Sequence, residues 1–215
     1  MKRRLSWFSC LLIGLLAACT IVPIEEMEQL QQSETFDPVT YVDGIWGSQV
    51  VPAIVEKAQE LPAVFAANQK KMTPAGEQNA TLLQSGAPKF VVEGEGTVAA
   101  VDTESRNGTA VLQIDGYDGP VVIVMQIGPL VRGDGVRDGV GFIEFGDFKE
   151  QTEFGQVSKE LNQRVADNVL SGLDLNALVG KQVSFDGVFT IRTTNQTNID
   201  LSEVVITPVV LNVEG

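Results

Sequence analysis

The densest run of residues able to do chemistry lies between Gln126 and Gln151. It carries Arg132, Arg137, Asp134, Asp138, Glu144, Asp147 and Lys149, with Phe142, Phe145 and Phe148 interleaved. The planar fork of Arg suits a carboxylate, a phosphate or a sugar hydroxyl, and a Phe ring can stack on an apolar sugar face. Gln126, Arg132, Arg137, Asp138 and Phe148 are therefore candidate contacts for a ligand or partner, joined by Trp46 further upstream. The stretch 128–149 is Gly-rich and shows no apolar period. A loop this long is uncommon in a compact domain and is often functional, here as a binding lid. The structural alternative is a loop tied down by Arg–Asp pairs while its three Phe enter the core. The sequence leaves both open.

Most catalytic chemistries are excluded or left without support. The chain of 215 residues has no His, so it cannot build a Ser-His-Asp triad, a Cys-His pair or a His-bound zinc site by itself. Asp134 with Asp138, or Asp115 with Asp118, could offer oxygens to Ca²⁺, but neither run has EF-hand spacing and Asp-Gly pairs are ordinary turn chemistry. Glu144 and Asp147 could serve as acid and base, as in glycoside hydrolysis. Among 28 acidic residues nothing singles that pair out. Arg132-Gly133-Asp134 spells an adhesion tripeptide, too short a match to carry weight. Gly94-x-Gly96 has no third Gly and no βα unit after it, so it is no dinucleotide fingerprint. No catalytic residue, metal or cofactor is expected. The net charge of −13 argues against nucleic acid, whose binding rests on clustered Lys and Arg.

The compartment is written at the start of the chain. Met1-Lys2-Arg3-Arg4 is a positive n-region, and Leu5 to Leu16 is an apolar stretch broken by Ser6, Ser9 and Gly14. That layout is a secretory signal, too short for a comfortable membrane span. Leu16-Ala17-Ala18-Cys19 resembles the bacterial lipobox, in which the Cys becomes the first mature residue and carries lipid. Cys19 is thus the expected lipidation site and the membrane the expected partner. By resemblance to proteobacterial lipoproteins, Thr20 favours the outer membrane. Removal of 1–18 leaves 215 − 18 = 197 residues and a charge of (15 − 3) − 28 = −16. Cys10 departs and Cys19 is acylated, so the exported domain has no disulfide and must be stabilised by packing.

The elements that would position the Gln126–Gln151 segment follow in order. Residues 19–40 read as an acidic tether ended by Asp37-Pro38. Residues 41–86 read as a helical segment. Ser48 caps a first helix, Leu61-Pro62 starts a second running to about Lys71, and Thr73-Pro74 starts a third through Leu82 and Leu83. Tyr41 and Trp46 are either anchors of that segment or an exposed contact. After Pro88 the period changes. Strands are expected over 90–101, 109–114, 121–127, 182–191 and 204–213, with a turn at Asn107-Gly108 and bulges at Gly187 and Pro208. Between the third and fourth, Phe154, Val157, Leu161, Val165 and Val169 mark one face of a helix. Residues 195–200 read as a loop. The order βββαββ over 87–215 is that of an OB-like barrel with that helix plugging one end, so the fold class is α+β, a helical segment packed on a five-stranded barrel. Val121 to Met125 is apolar on both faces, and the helical segment is expected to cover its outer one.

One family is similar over nearly all of the mature chain. Phe36-Asp37-Pro38, Tyr41-Val42-Asp43-Gly44-Ile45-Trp46, Gln126-Ile127-Gly128-Pro129, Arg132-Gly133, Arg137-Asp138, Phe142-Ile143, Phe145-Gly146-Asp147-Phe148 and Ile206-Thr207-Pro208 occur in order. They resemble the bacterial predicted periplasmic lipoproteins catalogued as domain of unknown function 2291, whose members are often encoded beside sugar ABC transporters. The resemblance implies a periplasmic, lipid-anchored accessory or binding protein, with a sugar or a sugar-transporter component as its partner. It implies no mechanism and no catalytic residue. Two rivals remain: a structural envelope lipoprotein acting through protein contacts, and a carboxylate-based hydrolase.

Overall fold

A computed structural model describes residues 36–68, 80–81, 88–195, 198–200 and 202–214. The signal sequence, Cys19 and nearly all of the tether lie outside the described residues, as does most of the third expected helix. The chain divides into two units at Phe36/Asp37, and the second carries the fold.

The first helix, α1 (Pro38–Ile45), starts earlier than the Ser48 cap expected from sequence. The Asp37 carboxylate accepts from Val39 N–H at 3.0 Å and from the Thr40 hydroxyl, and Pro38 occupies the first turn. An acceptor followed by a residue with no N–H to satisfy is the stronger start signal. Ser48 instead donates to Gly44 O at 3.0 Å, within a π-turn (Trp46–Val50) that runs into α2 (Val51–Lys57). A two-residue strand, β1 (Gln59–Glu60), leads into α3 (Leu61–Asn68). β2 (Ala80–Thr81) is extended where the sequence suggests helix, because it pairs antiparallel with Phe90 and Lys89 and tertiary pairing overrides local preference.

The barrel strands follow: β3 (Lys89–Asp102), β4 (Thr109–Ile114), β5 (Val122–Gln126), then β6 (Gln182–Thr190) and, after a small hairpin, β9 (Glu203–Val213). That hairpin pairs β7 (Arg192–Asn195) with β8 (Asn198–Asp200), and β8 stands within the stretch 195–200 that the sequence reads as a loop. β3, β4 and β5 pair antiparallel, β5 pairs parallel with β9, β9 antiparallel with β6, and β6 closes onto β3. This is a closed five-stranded barrel with OB connectivity. The segment between β5 and β6 is not structureless. It holds α4 (Gly135–Val140), a 3-10 turn (Phe145–Asp147) and α5 (Gln151–Arg164), which continues into a π-turn (Val165–Leu170). Six residues with two Gly are too few to show a helical period.

Close backbone approach explains two glycines. A Cβ on Gly96 would stand 2.3 Å from Gln113 O, so β3 can cross β4 only with Gly there. The expected bulge falls between Asp186 and Gly187, opposite Pro208, and a Cβ on Gly187 would meet Thr207 O at 2.7 Å. Gly187→Ala should therefore cost roughly 1–3 kcal/mol, the range of an overpacked core. Equilibrium urea unfolding checks it, and an unchanged midpoint would remove the close-approach account.

Two apolar layers result. The barrel interior holds Phe90, Val92, Leu112, Ile123, Met125, Phe185, Phe189 and Ile206, together with Leu61, Val64 and Phe65 from α3. The plug is therefore α3, not the helix after β5 expected from sequence. α5 buries Val157 and Leu161, and its π-turn buries Val165, in a second layer outside the barrel. There α5 packs on α1 and α4, and its π-turn packs on β9. α2 packs on β3, β6 and β9, whereas the sequence reading put the helical segment over β5. On the outer face of β5, Val124 is buried but Val122 remains 45% exposed.

Candidate functional site

The segment after β5 is pinned from its first residue. Gln126, itself buried, donates through Nε2 to Arg132 O at 2.9 Å and to Thr207 Oγ1 at 2.7 Å. Its Oε1 accepts from Arg132 N–H at 2.9 Å. One side chain thus clamps both polar backbone groups of Arg132 and ties them to β9. The next residue, Gly133, turns at φ +105°, and its carbonyl accepts from Asn162 Nδ2 at 2.7 Å and Ser158 Oγ at 3.3 Å, both on α5. Gln126 is therefore a latch beneath the segment rather than a surface contact, and Arg132 itself is exposed.

All six residues of α4 are buried. Cβ positions built on Gly135 and Gly139 would sit 3.6 Å and 3.0 Å from Val188 Cγ1, so two glycines four apart let this short helix lie flat on β6. Gly141 ends it at φ +74°, and Lys57 of α2 donates to Val140 O, a cation at the negative end of the helix. Helices of this length do not stand alone in water. These contacts keep it folded.

The charges of α4 face inward. Arg137 donates through Nε to Asp138 Oδ1 at 2.7 Å, and its Nη2 lies 2.7 Å from the same oxygen. Lys89, 2% exposed, reaches Asp138 Oδ2 at 3.5 Å and Asp134 Oδ1 at 3.2 Å. Arg137 Nη2 is 3.7 Å from Asp134 Oδ2. Two cations and two carboxylates form a neutral quartet, of which only the Asp134 side chain reaches solvent, at 41%. The Arg137 guanidinium also lies over the Phe154 ring, 3.6 Å from its centre. A guanidinium so paired and covered is not open to an incoming anion.

The aromatic residues form a second shelf. Phe154 meets Phe145 and Phe148 at centroid distances of 5.6 Å, and Phe148 meets Tyr41 edge-on at 5.7 Å. This joins α1 to the segment. The three Phe do not all enter a core: Phe142 is 36% and Phe145 45% exposed. Tyr41 therefore acts as an anchor. Trp46 is half-buried at the end of α1. Glu144 and Asp147 are occupied with each other's backbone in a reciprocal cap of the 3-10 turn. Among the described residues, no group of three or more His, Cys, Asp or Glu has metal-ligating geometry, and no helix is long and apolar enough to cross a membrane.

Sequence reasoning from the segment alone misses Lys89, Asn162 and Phe154. Lys89 left a trace, a lone cation opening the otherwise apolar run Pro88 to Val92. Such a Lys in a buried strand needs an acid partner. Asn162 left none, since its role depends on where α5 lies.

Among solved structures, the chain is similar to an OB-fold protein from Thermotoga maritima, with a TM-score of 0.66 at 18% identity. The match covers 84% of this chain and 100% of that one, and at such identity it bears on the fold alone. A search of curated proteins finds no match. The family described as predicted periplasmic lipoprotein, DUF2291, matches residues 10–212, taking in the latch, the quartet and the five barrel strands up to the last residue but one of β9. With nearly the whole chain matched, the protein belongs to this family of predicted periplasmic lipoproteins.

Proposed function

We propose that the protein is a non-catalytic binding module, moored to the membrane by acyl chains on Cys19 and working beside a sugar uptake system. The observation that carries this reading is the presentation of Arg132. Its side chain is exposed while its backbone is clamped on both sides by Gln126. With the backbone already fixed, only the side chain loses freedom when this Arg meets a carboxylate or a sugar hydroxyl, which favours recognition. The titratable groups of α4 are by contrast consumed in the quartet, which favours a scaffold over a reaction centre.

The test is recovery of the anchored protein from native envelopes, with co-purifying proteins and small molecules identified by mass spectrometry. A sugar or a transporter component should be recovered saturably with the wild type. Arg132→Ala should lower that recovery about tenfold or more, the scale of an interfacial hot spot, while stability stays within about 0.5 kcal/mol, as for an exposed residue. Equal recovery with Arg132→Ala overturns the role of this residue.

A second reading, an envelope lipoprotein acting through protein contacts alone, draws on the exposure of Phe142 and Phe145. Crosslinking through position 145 that captures a protein, with no small molecule recovered, would favour it.

A further inference from the structure

The α3 plug enters the barrel through a strap two residues long, and the strap is placed against its own charge. β1 pairs in parallel with β3, with Glu60 beside Glu93. On the other side of β3, Glu93 pairs with Asp186 of β6. Three carboxylates therefore stand in one row across three adjacent strands. Like charges directly opposite each other oppose pairing. Glu95 of β3 and Asp115, which follows β4, line the same open groove of about 450 Å³, and its remaining lining is Gly94, Ser184 and Phe185. Among the described residues, no Lys or Arg lines it.

The row sits next to the plug. Leu61 follows Glu60 directly and is fully buried in the barrel cluster with Val64 and Phe65. Its Cβ lies 3.8 Å from where a Cβ on Gly94 would stand. Loosening of β1 from β3 thus pulls on the first residue of the plug. Burial pushes the Glu93 carboxyl above its ordinary value, with Glu60 and then Asp186 adding to the shift. Burial also raises Asp186.

We infer that β1 and α3 form an acid-tightened plug, whose seating in the barrel mouth is opposed by the ionised row Glu60–Glu93–Asp186 and strengthened when that row takes up a proton. The sign follows from linkage. A carboxyl raised in the folded state binds more protons there than in the open state, so seating weakens as pH rises through the folded-state value and recovers as pH falls.

The experiment is hydrogen–deuterium exchange on the full chain at pH 7 and pH 5, corrected for intrinsic exchange, with the amides of β4 as internal reference. In the wild type, protection over 59–68 should rise about threefold at pH 5 relative to β4, the scale of a cross-strand like-charge pair. Glu93→Gln should show the pH 5 protection already at pH 7 and lose the pH response. Glu60→Gln, at an exposed position, should do the same if Glu93→Gln folds poorly. Equal protection of 59–68 at both pH values overturns the inference. So does a wild-type pH response that persists in Glu60→Gln, or one shared equally by β4.

Discussion

Asp138→Ala should destabilise the domain by about 3–5 kcal/mol, the cost of breaking a buried ion pair by removing one partner. Asp138 is 1% exposed and receives both Arg137 and Lys89. Its loss leaves two cations sharing the half-exposed Asp134, and Lys89 at 2% exposure cannot reach bulk water. For a domain of this size that corresponds to a fall in Tm of roughly 10 °C. The cost belongs to the orphaned charge and not to the pair itself. Lys89→Met with Asp138→Leu leaves Arg137 facing Asp134 and should be markedly more stable than the sum of the two single changes. Thermal and urea unfolding of Asp138→Ala, the two single changes and their double test this. A loss below about 1 kcal/mol in Asp138→Ala would mean that the quartet is solvated, and the covered-scaffold account of α4 would go with it.

Arg132→Ala, five residues upstream of Arg137, is expected to leave stability unchanged. That contrast shows where sequence reading stops. Composition and spacing place both Arg in one loop and weigh a lid against a tied-down loop. The structure divides the labour: Arg137 ties the segment down and Arg132 is left outside. The division depends on which way a six-residue helix faces, and that direction is set by Gly135 and Gly139 packing on Val188, a contact between positions some fifty residues apart. No local pattern encodes it.

The barrel was more legible because its signals are local. Alternation, turn glycines and the bulge signals at Gly187 and Pro208 mark strands within a residue or two of β3, β4, β5, β6 and β9. Family resemblance reaches the lipoprotein class independently. What local pattern cannot distinguish is which apolar helix enters the barrel. α5 carries the clearer stripe, with fully buried Val157 and Leu161, yet it packs outside. α3 is short and apolar on all sides, so no stripe marks the face of Leu61, Val64 and Phe65 that is buried, while Ala63 and Ala66 stay exposed.

Phe65→Ala tests that assignment directly and should cost about 3–5 kcal/mol, the range for deleting a large aromatic from a core. The Phe65 ring lies 5.0 Å from Tyr117 and 5.9 Å from Phe189, and Phe189 stacks on Phe90 at 5.2 Å. Its removal opens a void at the barrel mouth, where α3 is tethered on its N-terminal side by a strap of two residues and cannot slide inward to fill it. Leu161→Ala, in the layer outside the barrel, should cost about 2–5 kcal/mol by the same mechanism. The two layers lie on opposite faces of one sheet, so the costs should add. The fluorescence environment of Tyr117 should change in Phe65→Ala and not in Leu161→Ala. If instead Phe65→Ala is nearly neutral while Leu161→Ala disturbs Tyr117, the barrel is plugged by α5 after all, and β1 has no plug to seat.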